Sequence, residues 1–142
     1  MLVTAESCTG GWVAQELTAI AGSSSWFDRG FVTYSNEAKQ EMLGVRAETL
    51  ATHGAVSEET AAEMARGALE KSRGTLSLAV TGIAGPSGGT PAKPVGTVCF
   101  AWATKGRAPR AQTRRFEGDR EAVRRQSVEH ALAGVLELLD EG

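Results

Sequence analysis

The sequence contains few of the side chains that bind metals or cross-link small proteins. Its 142 residues include only two cysteines, Cys8 and Cys99, and two histidines, His53 and His130. No CxxC pair and no ligand-spaced cluster occurs among them. We therefore expect reduced cysteines and no metal site.

Long apolar runs and a strong charge imbalance are also missing. No apolar stretch approaches the roughly 18 residues of a membrane-spanning helix, and the first residues do not resemble a secretory leader. The net charge of −2 gives no general reason to expect nucleic acid as a partner. With 42% hydrophobic and 23% charged residues, the composition predicts one globular domain over residues 1–142, located in the cytoplasm and not on a membrane.

Segments of strand character alternate with segments of helical periodicity along the chain. Strands are predicted at 2–5, 26–34, 76–80, 95–104 and 110–116, and helices at 12–20, 37–43, 47–52, from Ser57 and after Asp119. This alternation predicts an α/β fold, a single-domain three-layer α/β/α sandwich around a mixed, mostly parallel sheet. In such sheets the binding site lies at the carboxyl ends of the strands.

Three segments at predicted strand ends have side chains suited to chemistry. After the first strand, Ser7 stands before a glycine-rich helix start, where it fits either a nucleophile or a helix cap. Its neighbour Cys8 is interpreted as a small buried hydrophobe rather than a thiol nucleophile. After the second strand, Lys39 lies in the first turn of a helix, where the macrodipole disfavours its positive charge. The alternative is an exposed lysine balanced by Glu37 or Glu41. The loop 81–89 has the glycines of a close ligand contact or of a flexible connection.

A basic stretch near the C-terminus is the fourth feature. Residues 105–125 contain eight basic and three acidic side chains. Arg120, beside a predicted helix start, suits a phosphate, whereas most of the other arginines are expected to form a solvated face.

Six ordered blocks resemble the CinA C-terminal domain family, the nicotinamide-nucleotide amidohydrolases. They extend over essentially the whole chain, at residues 5–11, 30–39, 53–57, 81–86, 93–98 and 116–120. The resemblance implies hydrolysis of nicotinamide mononucleotide to nicotinic acid mononucleotide and ammonia, in the recycling of pyridine nucleotides to NAD, with no cofactor.

The resemblance also implies roles for individual residues. Ser7 would be the nucleophile and Lys39 the general base, with Tyr34 as a third catalytic candidate. The implied substrate-binding set is Glu6, Thr9, Gly10, Gly11, Thr81, Gly82, Gly85, Lys93 and Arg120. In this set Glu6 would be a partner for the pyridinium, and Arg120, aided by Arg124 or Lys93, would bind the phosphate.

Members of the family usually have a further helix before the first strand, and that helix is missing ahead of Ser7. We expect a homo-oligomer, with a dimer favoured. Two other functions fit the motifs less well: a non-catalytic module that binds a phosphorylated nucleotide, and a nucleic-acid accessory protein that uses the arginines.

Overall fold

The computed structural model describes residues 1–141, which form alternating strands and helices. The strands are β1 (Leu2–Glu6), β2 (Phe27–Val32), β3 (Leu76–Gly82), β4 (Thr97–Thr104) and β5 (Arg110–Arg115). The helices are α1 (Trp12–Thr18), α2 (Asn36–Leu43), α3 (Ala47–His53), α4 (Glu58–Glu70) and α5 (Arg120–Glu141), with a short 3₁₀ turn at Ser23–Ser25. Every predicted element is present, with ends shifted by a few residues.

The five strands form one mixed sheet in the order β2-β1-β3-β4-β5. β1 pairs in parallel with both β2 and β3, whereas β4 is antiparallel to β3 and to β5. Four strands therefore point in the same direction and β4 alone runs against them. The consecutive strands β3, β4 and β5 are joined without a helix, which is why the sheet is mixed.

Helices cover both faces of the sheet, which confirms the three-layer sandwich. On one face, Val13 and Leu17 of α1 and Val123 of α5 pack with Phe100 and Trp102 of the sheet. On the other face, α2 and α4 contribute the buried side chains Leu43, Ala61, Met64, Ala65 and Ala68 to a second core. The faces alternate along β1, so that Leu2 belongs to the first core and Val3 to the second.

Side-chain caps fix the starts of two helices close to one edge of the sheet. The Ser35 hydroxyl accepts the Ala38 N–H at the start of α2, and the Ser57 hydroxyl accepts the Thr60 N–H at the start of α4. At α5 the Asp119 carboxylate accepts the Ala122 N–H, as the sequence predicts. Among the described residues, no helix has the length and apolar character needed to cross a bilayer.

Candidate active site

The chain reverses its strand order around β1, and a cavity opens at that point. β1 leads to α1 on one face of the sheet, whereas β2 and β3 are connected through α2, α3 and α4 on the other face. The connections that leave the carboxyl ends of β1 and β2 therefore go to opposite faces of the sheet, and open α/β sheets bind ligands at such a point. The cavity measures about 320 Å³ and is lined by Ser7, Cys8, Tyr34, Asn36, Lys39, Ala55, Val56, Thr81, Gly82, Ile83, Ala84, Gly85, Ser87, Gly88 and Arg120.

Ser7 lies on a tight turn directly after β1. Its N–H donates to the Val80 carbonyl, which extends the pairing with β3 by one residue, and its own carbonyl accepts the Gly10 N–H at 3.0 Å. Gly10 (φ 60°) and Gly11 (φ 106°) have the left-handed backbone that turns the chain into α1. The Ser7 side chain thereby reaches the cavity with only 7% of its surface exposed.

Lys39 is the unusual group of this cavity, because its long cationic side chain is 1% exposed. Its Nζ lies 3.1 Å from the Ser7 Oγ and donates to the Thr33 carbonyl at 3.0 Å. No carboxylate lines the cavity in the described part of the chain. Burial consequently lowers the pKa of Lys39 below the ordinary lysine value, since the charged form loses water without gaining an anionic partner.

Glu6, which the resemblance implies as a partner for the pyridinium, is not among the residues that line the cavity. Its fully buried carboxylate accepts hydrogen bonds from the Thr9 hydroxyl and from the N–H groups of Gly11, Val13 and Ala14 at the start of α1. Four donors and the positive end of the helix satisfy the charge. Glu6 therefore fixes the β1–α1 connection from the side opposite to the cavity.

Tyr34 and Arg120 stand at the rim of the cavity. Arg120 donates to the Gly85 carbonyl at 2.7 Å and to the Tyr34 hydroxyl at 3.1 Å, and so links the loops that follow β2 and β3. Tyr34 is 64% exposed, and its hydroxyl contacts Arg120 and not Lys39. Its position suits ligand contact at the rim better than proton transfer at Ser7.

Several predicted ligand contacts lie elsewhere in the structure. Thr81, Gly82 and Gly85 do line the cavity, and the Thr81 hydroxyl donates to the Ala55 carbonyl. Thr9, Gly10 and Gly11, in contrast, belong to the turn behind Ser7 and do not line it. Lys93 is also outside, since its ammonium donates to the His53 carbonyl at 2.7 Å over a neighbouring surface depression.

The structure adds lining residues that the sequence analysis did not name as ligand contacts. Asn36 follows the cap of α2, and Ser87 and Gly88 belong to the loop 81–89 after β3. Their position within three residues of Tyr34 and Gly85 was the available signal, because residues close to a strand end share the same edge. Arg124 lies one helical turn after Arg120 and hydrogen-bonds the Ser7 turn instead of reaching the cavity.

Cys8 is 6% exposed, as the interpretation of a small buried hydrophobe requires. Burial raises the pKa of its thiol to about 12, so the nucleophilic thiolate is disfavoured. Among the described residues, no group of three or more histidine, cysteine, aspartate or glutamate side chains is arranged to hold a metal ion.

A buried serine–lysine contact therefore lies in a polar cavity at the switch point of an open α/β/α sandwich, which is where domains of this class bind small molecules. The CinA C-terminal domain model matches residues 1–139 of the chain. The chain therefore belongs to the CinA C-terminal domain family, as its motifs predict.

Named relatives agree with this assignment. The chain is 60% identical over 131 residues to the nicotinamide-nucleotide amidohydrolase PncC of Escherichia coli K12, covering 92% of this chain and 79% of that protein. It is 52% identical over 137 residues to PncC of Pseudomonas putida, covering 96% and 85%. The crystal structure of the competence/damage inducible protein CihA from Agrobacterium tumefaciens superposes with a TM-score of 0.95 at 51% identity, covering 97% of this chain and 84% of that one.

Proposed function

We propose that this protein is a nicotinamide-nucleotide amidohydrolase, which hydrolyses the carboxamide of nicotinamide mononucleotide by means of Ser7 and Lys39. The single observation that supports the mechanism most strongly is the 3.1 Å contact between the Lys39 Nζ and the Ser7 Oγ in a cavity without a carboxylate. The substrate assignment rests on relatives of that name at 52–60% identity.

In the first half of the reaction, neutral Lys39 acts as the general base. Its Nζ takes the proton of the Ser7 hydroxyl while the Oγ attacks the carboxamide carbon and forms a tetrahedral oxyanion. The Thr33 carbonyl accepts one Nζ–H and keeps the Nζ lone pair directed at Ser7. The carbon–nitrogen bond then breaks, Lys39 returns the proton to the departing nitrogen, and ammonia leaves an acyl ester on Ser7.

In the second half, water replaces ammonia next to Lys39. The Nζ takes a proton from that water while the water oxygen attacks the ester carbon. Collapse of the second oxyanion then breaks the bond to the Ser7 Oγ and releases nicotinic acid mononucleotide. Lys39 returns the proton to the Ser7 Oγ, which restores the starting state. The cationic pyridinium of the substrate further disfavours a charged Lys39, because like charges raise the cost of protonation.

The phosphate of the substrate is assigned to the rim of the cavity, where Arg120 lies. A guanidinium has five N–H donors, and Arg120 uses one on the Gly85 carbonyl and one on the Tyr34 hydroxyl. The remaining donors can bind phosphate oxygens. Because Lys39 is neutral in this mechanism, Arg120 provides the positive charge at the rim, and no carboxylate among the described lining residues opposes a phosphate there.

The test is ammonia release from nicotinamide mononucleotide in excess EDTA, compared between the parent and Ser7→Ala. Ser24→Ala is the matched control, because it removes an exposed hydroxyl on the Ser23–Ser25 turn. We expect release by the parent and by Ser24→Ala, and loss of release in Ser7→Ala.

Other outcomes lead to different conclusions. Equal activity of Ser7→Ala removes Ser7 as the nucleophile and favours direct attack by water. Binding of the nucleotide by a folded parent that releases no ammonia supports the non-catalytic binding module instead. A place in NAD recycling follows from the product, and the expected homo-oligomer stays a prediction that sedimentation of the purified chain tests.

A further inference from the structure

Arg124 contacts the backbone of the Ser7 turn and not the cavity. From the first turns of α5, its Nε donates to the Cys8 carbonyl at 3.1 Å and its Nη2 to the Thr9 carbonyl at 3.2 Å. The guanidinium also lies over the Trp12 ring, with its carbon 5.5 Å from the ring centroid. A planar side chain held on three sides in this way is committed to the turn and is not available to a phosphate.

The two hydrogen bonds of Arg124 fix successive peptide planes of the turn. Because a peptide unit is planar and trans, holding the Thr9 carbonyl also sets the direction of the Gly10 N–H. That N–H donates to the Ser7 carbonyl at 3.0 Å and thereby fixes the peptide plane between Ser7 and Cys8. The Cys8 N–H belongs to this same peptide plane. The contacts of Arg124 therefore set the direction of the Cys8 N–H through the Gly10–Ser7 hydrogen bond.

Among the described residues, the N–H groups of Cys8 and Thr9 are the donors that the turn leaves available, and of these two residues only Cys8 lines the cavity. The Ser7 N–H is used on the Val80 carbonyl, and those of Gly11, Val13 and Ala14 are used on Glu6. Within residues 1–141, the Cys8 N–H meets no acceptor other than its own sulfur. A neutral thiol is a weak acceptor, so this N–H stays available beside Ser7 in a residue that lines the cavity.

We propose that Arg124 is a positioning residue, which aims the Cys8 N–H at the oxyanion that forms when Ser7 attacks the carboxamide. The inference rests on the proposed function. It assigns a stabilising donor to the turn, and it gives Arg124 a role different from the phosphate contact that its basic neighbourhood suggests. Donors fixed before the reaction contribute more to the rate than donors that must reorient during it.

The experiment compares Arg124→Gln and Arg124→Lys with Arg125→Gln, a control that removes an exposed charge from the next position of α5. We expect the two Arg124 variants to lower kcat for nicotinamide mononucleotide by about 10–100-fold, with KM within about threefold, because only the transition state is affected. Arg125→Gln should match the parent. In Arg124→Ala, millimolar guanidinium should restore part of kcat, which a general loss of folding would not allow.

A second readout is independent of the natural substrate. A fluorophosphonate probe phosphonylates an activated serine: the Ser7 Oγ bonds to phosphorus, fluoride leaves and Lys39 accepts the proton. The labelling rate of Ser7 should fall in Arg124→Gln by a factor similar to kcat, since the phosphonyl oxygen needs the same donor. If the parent labels Ser7 but releases no ammonia, the proposed substrate is wrong while the labelling rates still test Arg124.

Three results overturn the inference. A raised KM with unchanged kcat would make Arg124 a ligand contact. An unchanged labelling rate and an unchanged kcat in Arg124→Gln and Arg124→Lys would exclude a role of Arg124 in the reaction. A parent that neither labels nor releases ammonia would refute both the proposed function and the role of Arg124.

Discussion

The β1–α1 and β2–α2 connections each bury one charged side chain at the same edge of the sheet, with opposite consequences. The first connection holds Glu6, whose carboxylate accepts four hydrogen bonds at the start of a helix. The second leads to Lys39, whose ammonium has one carbonyl and one hydroxyl as partners and no carboxylate. A buried carboxylate whose oxygens accept several hydrogen bonds stabilises the fold. A buried lysine without an anionic partner has a lowered pKa instead, and so loses its proton more readily.

The largest effect should come from removing the base of the second connection. Lys39→Met keeps the length and apolar part of the side chain and deletes the Nζ, so kcat for ammonia release should fall by at least about 10³-fold. Lys71→Met, at an exposed lysine beyond α4, should retain parental activity. Comparable turnover by Lys39→Met and the parent would show that Ser7 does not depend on this base.

A substitution in the first connection should lower the stability of the fold. Glu6→Gln replaces a carboxylate oxygen with an amide N–H that faces the donors of α1, and we expect the free energy of unfolding to fall by about 2–4 kcal/mol. Urea denaturation measures the loss, with Glu41→Gln on the exposed face of α2 as the control. If Glu6→Gln proves as stable as its control, the contrast between the two buried charges is wrong.

The rim should affect binding more than turnover. Arg120→Gln removes charge-assisted donors, which predicts a KM for nicotinamide mononucleotide about 10–100-fold higher with kcat nearly unchanged. Arg115→Gln, which removes an exposed charge at the end of β5, serves as the matched variant in the same kinetic assay. A fall in kcat at constant KM would assign Arg120 to the chemical step instead.

The pH dependence of kcat tests the protonation of Lys39 in the second connection, with a smaller expected change in rate than the substitutions above. Because only neutral Lys39 accepts the Ser7 proton and burial lowers its pKa, kcat should rise with pH and level off at a lower pH than an ordinary lysine would allow. A kcat that decreases as pH rises through neutrality would require a protonated Lys39 and would contradict the mechanism.

The smallest effect is expected at Lys93, which the sequence analysis places with the phosphate. Its ammonium donates to the His53 carbonyl outside the cavity. Lys93→Gln should therefore change kcat/KM by less than about twofold, in the range of surface substitutions. A tenfold rise in KM would return Lys93 to the phosphate site.

Local patterns in the sequence were sufficient to predict the elements and the edge at which they meet. Periodicity and caps predicted the helices, and the strand ends at Ser7, Thr81 and Tyr34 predicted the cavity. Alternation along a strand predicts that the neighbours Glu6 and Ser7 point in opposite directions, but not which of them faces the cavity. Only the folded chain shows that Glu6 faces the start of α1 and Ser7 the cavity.

Long-range contacts account for the remaining differences. Lys93 reaches His53 across 40 residues, and Arg124 reaches Cys8 across 116, so neither contact has a local signature. The i, i+4 spacing of Arg120 and Arg124 places both on one side of α5, but only the folded chain assigns one to the rim and the other to the turn.

The central claim, that Lys39 is poised to act as a neutral base, is tested most directly by titrating its side chain. The chain has four lysines, so the ¹³Cε resonance of Lys39 can be identified by its absence from the spectrum of Lys39→Met. The account predicts that this resonance titrates clearly below the ordinary lysine range and that its midpoint coincides with the rise in kcat/KM, which reports the free enzyme. A Lys39 that titrates together with the exposed lysines would contradict it.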